Sequence, residues 1–282
     1  MEPGQPSRTA LAAARYRAAH QLLEGGRVFT DPLATPILGV PAAELLRGDV
    51  QARATRGMRL FIAARSRFAE ESLAAAVKRG VRQYVVLGAG LDTFAHRNPY
   101  AEIGLRVFEV DHPATQAWKR QRLSDAGLES PASLTFASVD FERQTLAQGL
   151  AAAGFDAVAP AFFAWLGVTV YLTGEAVMNT LRFIAATPGS EVVFDYGEPL
   201  SAFPEGEGRA RQVARAERAA ALGEPWITRF TPSELANALR DLGFDTLEDL
   251  GPAQISRRFY GVAGRDGPGG HLMRAARLDL RA

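Results

Sequence analysis

Apolar positions change their period along the chain. From Leu11 to Leu23 they recur as on a helix, and Gly25-Gly26 after Glu24 ends it, because glycine takes helix-ending conformations at little cost. Asp31-Pro32 opens another short helical stretch. From Phe61 to Arg79 the residues Ile62, Ala69, Leu73 and Ala76 share one helical face, flanked by Phe61 and Phe68, and Gly80 provides the stop. Beyond it Tyr84-Val85-Val86-Leu87 is a short continuous apolar run, as in strands that a parallel sheet buries on both faces.

Further strands are predicted over Leu105 to Val110, Leu134 to Val139, Ala161 to Leu166 and Glu191 to Tyr196. Helices are predicted between them, over 113–126, 144–153 and from a Thr173 cap to about Ala186. Strands alternating with helices imply right-handed crossovers and an α/β fold with a doubly wound parallel sheet. Phe162, Phe163 and Trp165 are read as core of that sheet.

Between about 197 and 230 the pattern loosens. Pro199, Pro204, Gly206 and Gly208 lead into a helix rich in arginine and alanine over 207–222, read as a lid-like insertion over the site. Thr231-Pro232-Ser233-Glu234 then starts a helix ending at Gly243, with a capping hydroxyl, proline in the first turn and an acid near the positive dipole end. Thr246 to Leu250 and a segment near His271 to Leu278 supply the last strands. The expected organisation is an N-terminal helical cap over 1–80 and one domain over 81–282.

Composition narrows the partners. With 282 residues and 47% hydrophobic content the chain fills one sizeable core. Its 32 basic and 31 acidic side chains leave a formal charge of +1, so no broad field draws in nucleic acid or an anionic membrane. A small-molecule or peptide partner is expected. The absence of cysteine removes disulfides, thiolate metal sites and cysteine nucleophiles, and no metal is expected; it also fits a reducing compartment, with cytoplasm as the expected location. The first residues lack the apolar run of a signal peptide, and no uncharged stretch approaches the ~18 residues that span a bilayer.

Candidate chemistry gathers at strand ends. Gly88-Ala89-Gly90-Leu91-Asp92 follows the first strand of the alternating region, where open α/β sheets bind ligands. Glycines there let backbone approach a ligand, although Gly-x-Gly alone also makes tight turns. A dinucleotide fingerprint wants a small residue where Thr93 stands, and a pyrophosphate is repelled by the Asp92 carboxylate. S-adenosylmethionine carries a sulfonium and an ammonium and no phosphate, so Asp92 suits it.

Asp111, 23 residues after Gly88, ends the second strand and is placed to accept hydrogen bonds from ribose hydroxyls; its alternative role is a cap before Pro113. His112 beside it is placed to flank an adenine. Asp140 and Phe141 put an acid and an aromatic at the third strand's end for an adenine, with capping as the other role of Asp140. Arg65 lies in an apolar helical arc, so its guanidinium must meet either a core carboxylate or a bound one.

With these motifs the chain resembles the bacterial branch of the leucine carboxyl methyltransferase family, class I methyltransferases that use S-adenosylmethionine. The resemblance runs from Arg17-Ala18-Ala19-His20 and Phe29-Thr30-Asp31-Pro32 through Val86 to Thr93 and Phe108 to Pro113, and on to Val168-Thr169-Val170-Tyr171-Leu172. It implies a mostly parallel, seven-stranded, Rossmann-like sheet with helices on both faces. It further implies Gly88 as the cofactor glycine, with Ala89 and Gly90 in the same loop, and Asp111 as the ribose acid. Asp140-Phe141 matches the adenine pair, Arg65 the arginine for the methionyl carboxylate, and Arg17 a further basic contact. Leu166 stands where eukaryotic members carry a glutamate, which separates this chain from their protein-phosphatase substrate.

For the acceptor, Tyr171, Tyr196 and Trp226 are pocket candidates, with core packing as the other explanation of each. The motif regions hold no dedicated histidine and carboxylate pair: His20 and His96 are read as structural and His271 as exposed. An acceptor already ionised at neutral pH, a carboxylate, needs no base, whereas an alcohol or phenol does. The expectation is O-methylation of a carboxylate, or of a hydroxyl. A nicotinamide-dependent oxidoreductase and an inactive, methyltransferase-like binding protein are the alternatives.

Overall fold

The structure, a computed structural model, describes residues 7–47, 55–140, 143–221, 223–264 and 266–278. The apolar run at Tyr84 is β1 (Gln83–Leu87), and all five of its residues are buried. Tyr84 and Val86 belong to one core layer and Val85 and Leu87 to the other, as two-fold strand alternation requires. Among the described residues α1 (Arg8–Leu23), α2 (Ala42–Leu45) and α3 (Arg56–Lys78) precede it.

The alternation continues with β2 (Arg106–Asp111), α4 (Pro113–Asp125), β3 (Leu134–Ser138), α5 (Leu146–Ala152), β4 (Ala161–Trp165), α6 (Gly174–Ala186) and β5 (Glu191–Gly197). After β5 come α7 (Glu207–Ala221), α8 (Pro232–Asp241), β6 (Thr246–Leu250), α9 (Pro252–Ile255) and β7 (Gly270–Ala276). The strands form one sheet in the order β3-β2-β1-β4-β5-β7-β6. Pairs among β1 to β5 are parallel, and β7 runs antiparallel to both β5 and β6. This is an α/β sheet of seven strands, mostly parallel, as expected. The order reverses between β1 and β4, which makes their carboxyl ends the switch point.

Local chemistry sets the helix starts. Ser7 Oγ accepts the Ala10 amide at the start of α1, and Thr173 accepts the Ala176 amide at the start of α6. Thr145 with Gln148, and Thr231 with Glu234, form reciprocal capping boxes at α5 and α8. Asp31-Pro32 leads only into a turn and a single tight turn of helix over Pro36–Leu38.

α3 begins at Arg56 rather than Phe61. Its extra turn mixes Arg56, Gly57 and Arg59 with the apolar Met58 and Leu60; Arg59 there is held by Glu24, with Nη2 2.8 Å from Oε1. Phe68, Leu73 and Ala76 of α3 pack on the Tyr84 and Val86 side of the sheet. Val177, Leu181 and Ile184 of α6, with Leu235 and Leu239 of α8, cover the other side. A third cluster joins Ala14 and Ala18 of α1 to Leu91 and Leu123, so the N-terminal helix lies over the loop that leaves β1.

His271 is buried, not exposed: it is 7% exposed. Its Nδ1 is 2.9 Å from Asp249 Oδ1 and its Nε2 is 3.0 Å from Glu198 Oε1, and two carboxylates drew the ring inward. His20 is fully buried, with Nε2 3.3 Å from the Val28 amide, and it fixes the turn after α1. Phe162, Phe163 and Trp165 are buried in the sheet core. Among the described residues no helix is long and apolar enough to cross a membrane.

Candidate functional site

At the carboxyl ends of β1, β2, β4 and β5 lies a cavity of about 1950 Å3, lined by Gly88 to Asp92, Asp111, His112 and Asp140. Sites for one small ligand occupy roughly 300–1000 Å3, and this space exceeds that.

The loop after β1 is tightly specified. Gly88 and Ala89 both donate to Val110 O, at 2.8 and 3.1 Å, which folds the chain back over β2. Gly88 has φ +67°, and a Cβ there would lie 2.4 Å from Val168 Cγ2. Gly90 faces α1, where a Cβ would meet the Ala10 Cβ at 3.1 Å. The Gly90 amide donates to Asp111 Oδ2 at 2.6 Å, and the His112 amide to Asp111 Oδ1 at 2.7 Å. Burial raises the Asp111 carboxyl above its usual value, and those two amides pull it back. His112 also caps α4, its Nδ1 accepting the Ala114 amide at 3.2 Å.

Asp92 lines the cavity and turns one oxygen to its own loop: Oδ1 accepts the Phe94 amide at 2.8 Å. Thr93 donates to Asp31 Oδ2 at 2.8 Å. Arg17 stands between the two motifs, with Nε 2.8 Å from Asp31 Oδ2 and Nη2 2.5 Å from Leu91 O. The Phe-Thr-Asp-Pro stretch therefore underpins the glycine loop.

Opposite, Arg65 of α3 reaches Asp195 of β5, with Nη1 3.2 Å from Oδ2. Asp195 Oδ1 accepts the Gly167 amide at 2.5 Å. Gly167 has φ +72°, and a Cβ on it would fall 2.6 Å from Arg65 Nη1, so glycine is needed for the guanidinium to lie against the chain. Asp140 is at the third strand's end as expected, with Oδ2 3.4 Å from Arg143 Nε. Phe141 lies outside the described residues.

The remaining part of the cavity is lined by residues of α7 and of 223–229. Ile227 donates to Val170 O at 2.7 Å, which ties that segment to the stretch after β4. Tyr171 and Trp226 both line this part. Burial raises the Tyr171 phenol above its usual value, and Thr9 and Trp226 beside it lower it. Tyr196 also lines the cavity, but its hydroxyl donates to Asp249 Oδ2 at 2.6 Å and its ring stacks on His271. Its polar end thus belongs to the β5–β7–β6 edge.

Sequence spacing left two residues out. Asp195 is the lone acid in Val192-Val193-Phe194-Asp195, and its place beside a strand's carboxyl end was the available signal. Arg215 lines the cavity from α7, on a face shared with Gln212, Arg218 and Ala219; that helical spacing was readable but had no partner to give it meaning.

YktD of Bacillus subtilis (strain 168), provisionally named an S-adenosyl-L-methionine-dependent methyltransferase, is 39% identical over 199 residues, 70% of this chain and 65% of its own length. The first relatives are thus matched over less than two thirds of their length. A Mycobacterium avium (strain 104) protein with the same provisional name is 34% identical over 266 residues, 84% of this chain and 82% of its own. A DUF574 family protein from Streptomyces avermitilis has a similar fold, with TM-score 0.54 at 16% identity, over 94% of this chain and 97% of that one. Residues 10–185 match the family described as leucine carboxyl methyltransferase, and with the motifs mapped above the chain belongs to it.

Proposed function

We propose that the protein transfers a methyl group from S-adenosylmethionine to an oxygen of a small-molecule or peptide acceptor, most readily a carboxylate. The observation that carries this reading is the Gly90–Asp111 contact at the carboxyl ends of β1 and β2, opening into a cavity larger than one small ligand needs. The names of the relatives support the same donor.

The residues present fit that donor. The loop from Gly88 to Asp92 and the acids Asp111 and Asp140 line the same space. Asp111 would hold the ribose hydroxyls, Asp140 and His112 the adenine, and Arg65, steadied by Asp195, the methionyl carboxylate. Asp92 would face the positive end, and Arg17 would hold the loop rather than the ligand. When bound, the donor supplies a methyl carbon on a sulfonium, open to in-line attack.

The chain's own contribution is then position and exclusion of water. The lining of the acceptor part supports an oxygen that arrives ionised. Among the described residues His112 lines the cavity with Nδ1 committed to capping α4, while His20 and His271 are bound elsewhere. The Tyr171 phenol, raised by burial, stays protonated at neutral pH. A carboxylate needs no proton removed.

Calorimetry with S-adenosylhomocysteine and with NAD tests the donor. Binding of the homocysteine compound alone is expected, and binding of NAD alone would sink the assignment. Labelled methyl transfer into pooled acids and phenols then tests the acceptor: base-labile product means ester, stable product means ether.

A further inference from the structure

The acceptor part of the cavity contains a cation, Arg215, that no carboxylate among the described residues pairs with. Arg215 of α7 lines it, partly buried, and among the described residues its guanidinium has neither an ion pair nor a hydrogen bond. The other arginines of the lining are engaged: Arg17 with Asp31, Arg65 with Asp195, Arg143 with Asp140, Arg218 with Ala214 O and Arg229 with Glu198 O. The carboxylate that closes this end, Glu224, accepts the amides of Arg8 and Thr9 at 3.1 Å each and so serves the start of α1.

Positive charge also accumulates around Arg215. Arg218 follows one turn later and Arg211 precedes one turn earlier, the latter paired with Glu207 at 3.0 Å. Burial holds the Arg215 guanidinium below its usual value; Tyr16 raises it, and Arg218 and Arg211 lower it further. A partly buried, unpaired guanidinium is costly unless an anion meets it, and a planar fork of donors matches a carboxylate or phosphate. Tyr16, Tyr171, Phe203 and Trp226 line the same cavity, and the Arg229 guanidinium stands 5.2 Å from the Trp226 ring.

We infer that Arg215 is the specificity-determining anchor of the acceptor, binding a fixed anionic group on a planar or aromatic molecule. This rests on the methyltransferase reading for the word acceptor, but the anion site stands on the geometry of α7. The anion at Arg215 is a second recognition point, separate from the cofactor part that Arg65 and Asp111 line.

The test uses aromatic acids, from benzoate and 4-hydroxybenzoate to indole-3-acetate and phenyl phosphate. Each carboxylic acid is paired with its uncharged carboxamide, and phenyl phosphate with phenol. Binding to the full chain is measured by calorimetry with and without S-adenosylhomocysteine. At least one acid is expected to bind about tenfold or more tighter than its uncharged mate, as an added charge-assisted hydrogen bond gives. Arg215→Gln is expected to erase that preference and Arg215→Lys to keep part of it, with S-adenosylhomocysteine binding unchanged in both.

If no acid binds better than its mate, or if the preference survives Arg215→Gln, the inference is overturned. Failure of S-adenosylhomocysteine to bind the unaltered protein overturns the methyltransferase reading instead, and leaves the acid preference readable on its own.

Discussion

Asp195 grips Arg65 and the Gly167 amide with its two oxygens, at 3.2 and 2.5 Å, so one carboxylate from β5 fixes both walls of the cavity across from the glycine loop. The pair is nearly closed to solvent, with side chains 13% and 12% exposed. Both roles that the sequence left open for Arg65 are compatible here, since a guanidinium has donors enough for a structural partner and a ligand.

Arg65→Gln separates them. If Arg65 meets the methionyl carboxylate, S-adenosylhomocysteine binding weakens by roughly 1.5–3 kcal/mol, the range for hydrogen bonds to charged groups. Adenosine, which lacks that carboxylate, is expected to bind the variant and the unaltered protein alike. Calorimetry with both ligands gives the answer, and equal losses for the two would mean that Arg65 acts only on the shape of the site.

Asp111→Ala is expected to weaken S-adenosylhomocysteine by ~1–3 kcal/mol through lost hydrogen bonds. Asp111 also holds the Gly90 amide, so the alanine variant loosens the loop as well. Asp111→Asn keeps one acceptor oxygen and sets its NH2 against the other of the two backbone amides, so it costs some stability as well as capacity toward two hydroxyls. Weaker binding measured well below the melting temperature of the asparagine variant identifies a ribose acid; a lowered melt with unchanged binding identifies a cap.

Much of this was readable from short-range pattern. Tyr84 to Leu87 is apolar because a central parallel strand is covered twice, and Gly88 to Asp92 and Asp111 follow strand ends because that is where the chain must turn. What pattern cannot supply is the partner across the fold. Arg65 meets a residue 130 positions away, Thr93 one 62 away, and His271 one 73 away. Thr93 looked like a mark against a dinucleotide and is also the anchor of Asp31. Arg215 sits on an alanine-rich helix that spacing alone leaves as a solvated lid.

His271 should make stability depend on pH. Burial lowers its pKa, but Asp249 and Glu198 outweigh burial and hold it above the ordinary 6.5. A group whose folded value is raised stabilises the protein fully below its unfolded value and loses that contribution as pH rises through the folded one. Stability is therefore expected to fall as pH increases from about 6 through the folded value of His271. Denaturant melts across that window check it, and His271→Gln should flatten the slope. An equal slope in the variant would assign the dependence to another group.

The buried pair of Glu109 on β2 and Lys119 on α4 gives the last prediction. Both side chains are 1% exposed, and Nζ bonds Oε2 directly. Burial raises the Glu109 carboxyl to about 7, against the lowering effect of Lys119. Breaking such a pair leaves one buried charge uncompensated and costs about 3–5 kcal/mol, while replacing both members with uncharged groups is often neutral. Lys119→Met is thus expected to destabilise most above neutral pH, where Glu109 would otherwise ionise alone. At acid pH the carboxyl takes a proton and the loss shrinks. Glu109→Gln with Lys119→Met should recover most of the stability at pH 8. Urea melts of the single and double variants at pH 5.5 and 8 measure this, and a double variant as weak as Lys119→Met would show that packing of the lysine stem, not its charge, holds α4 to the sheet.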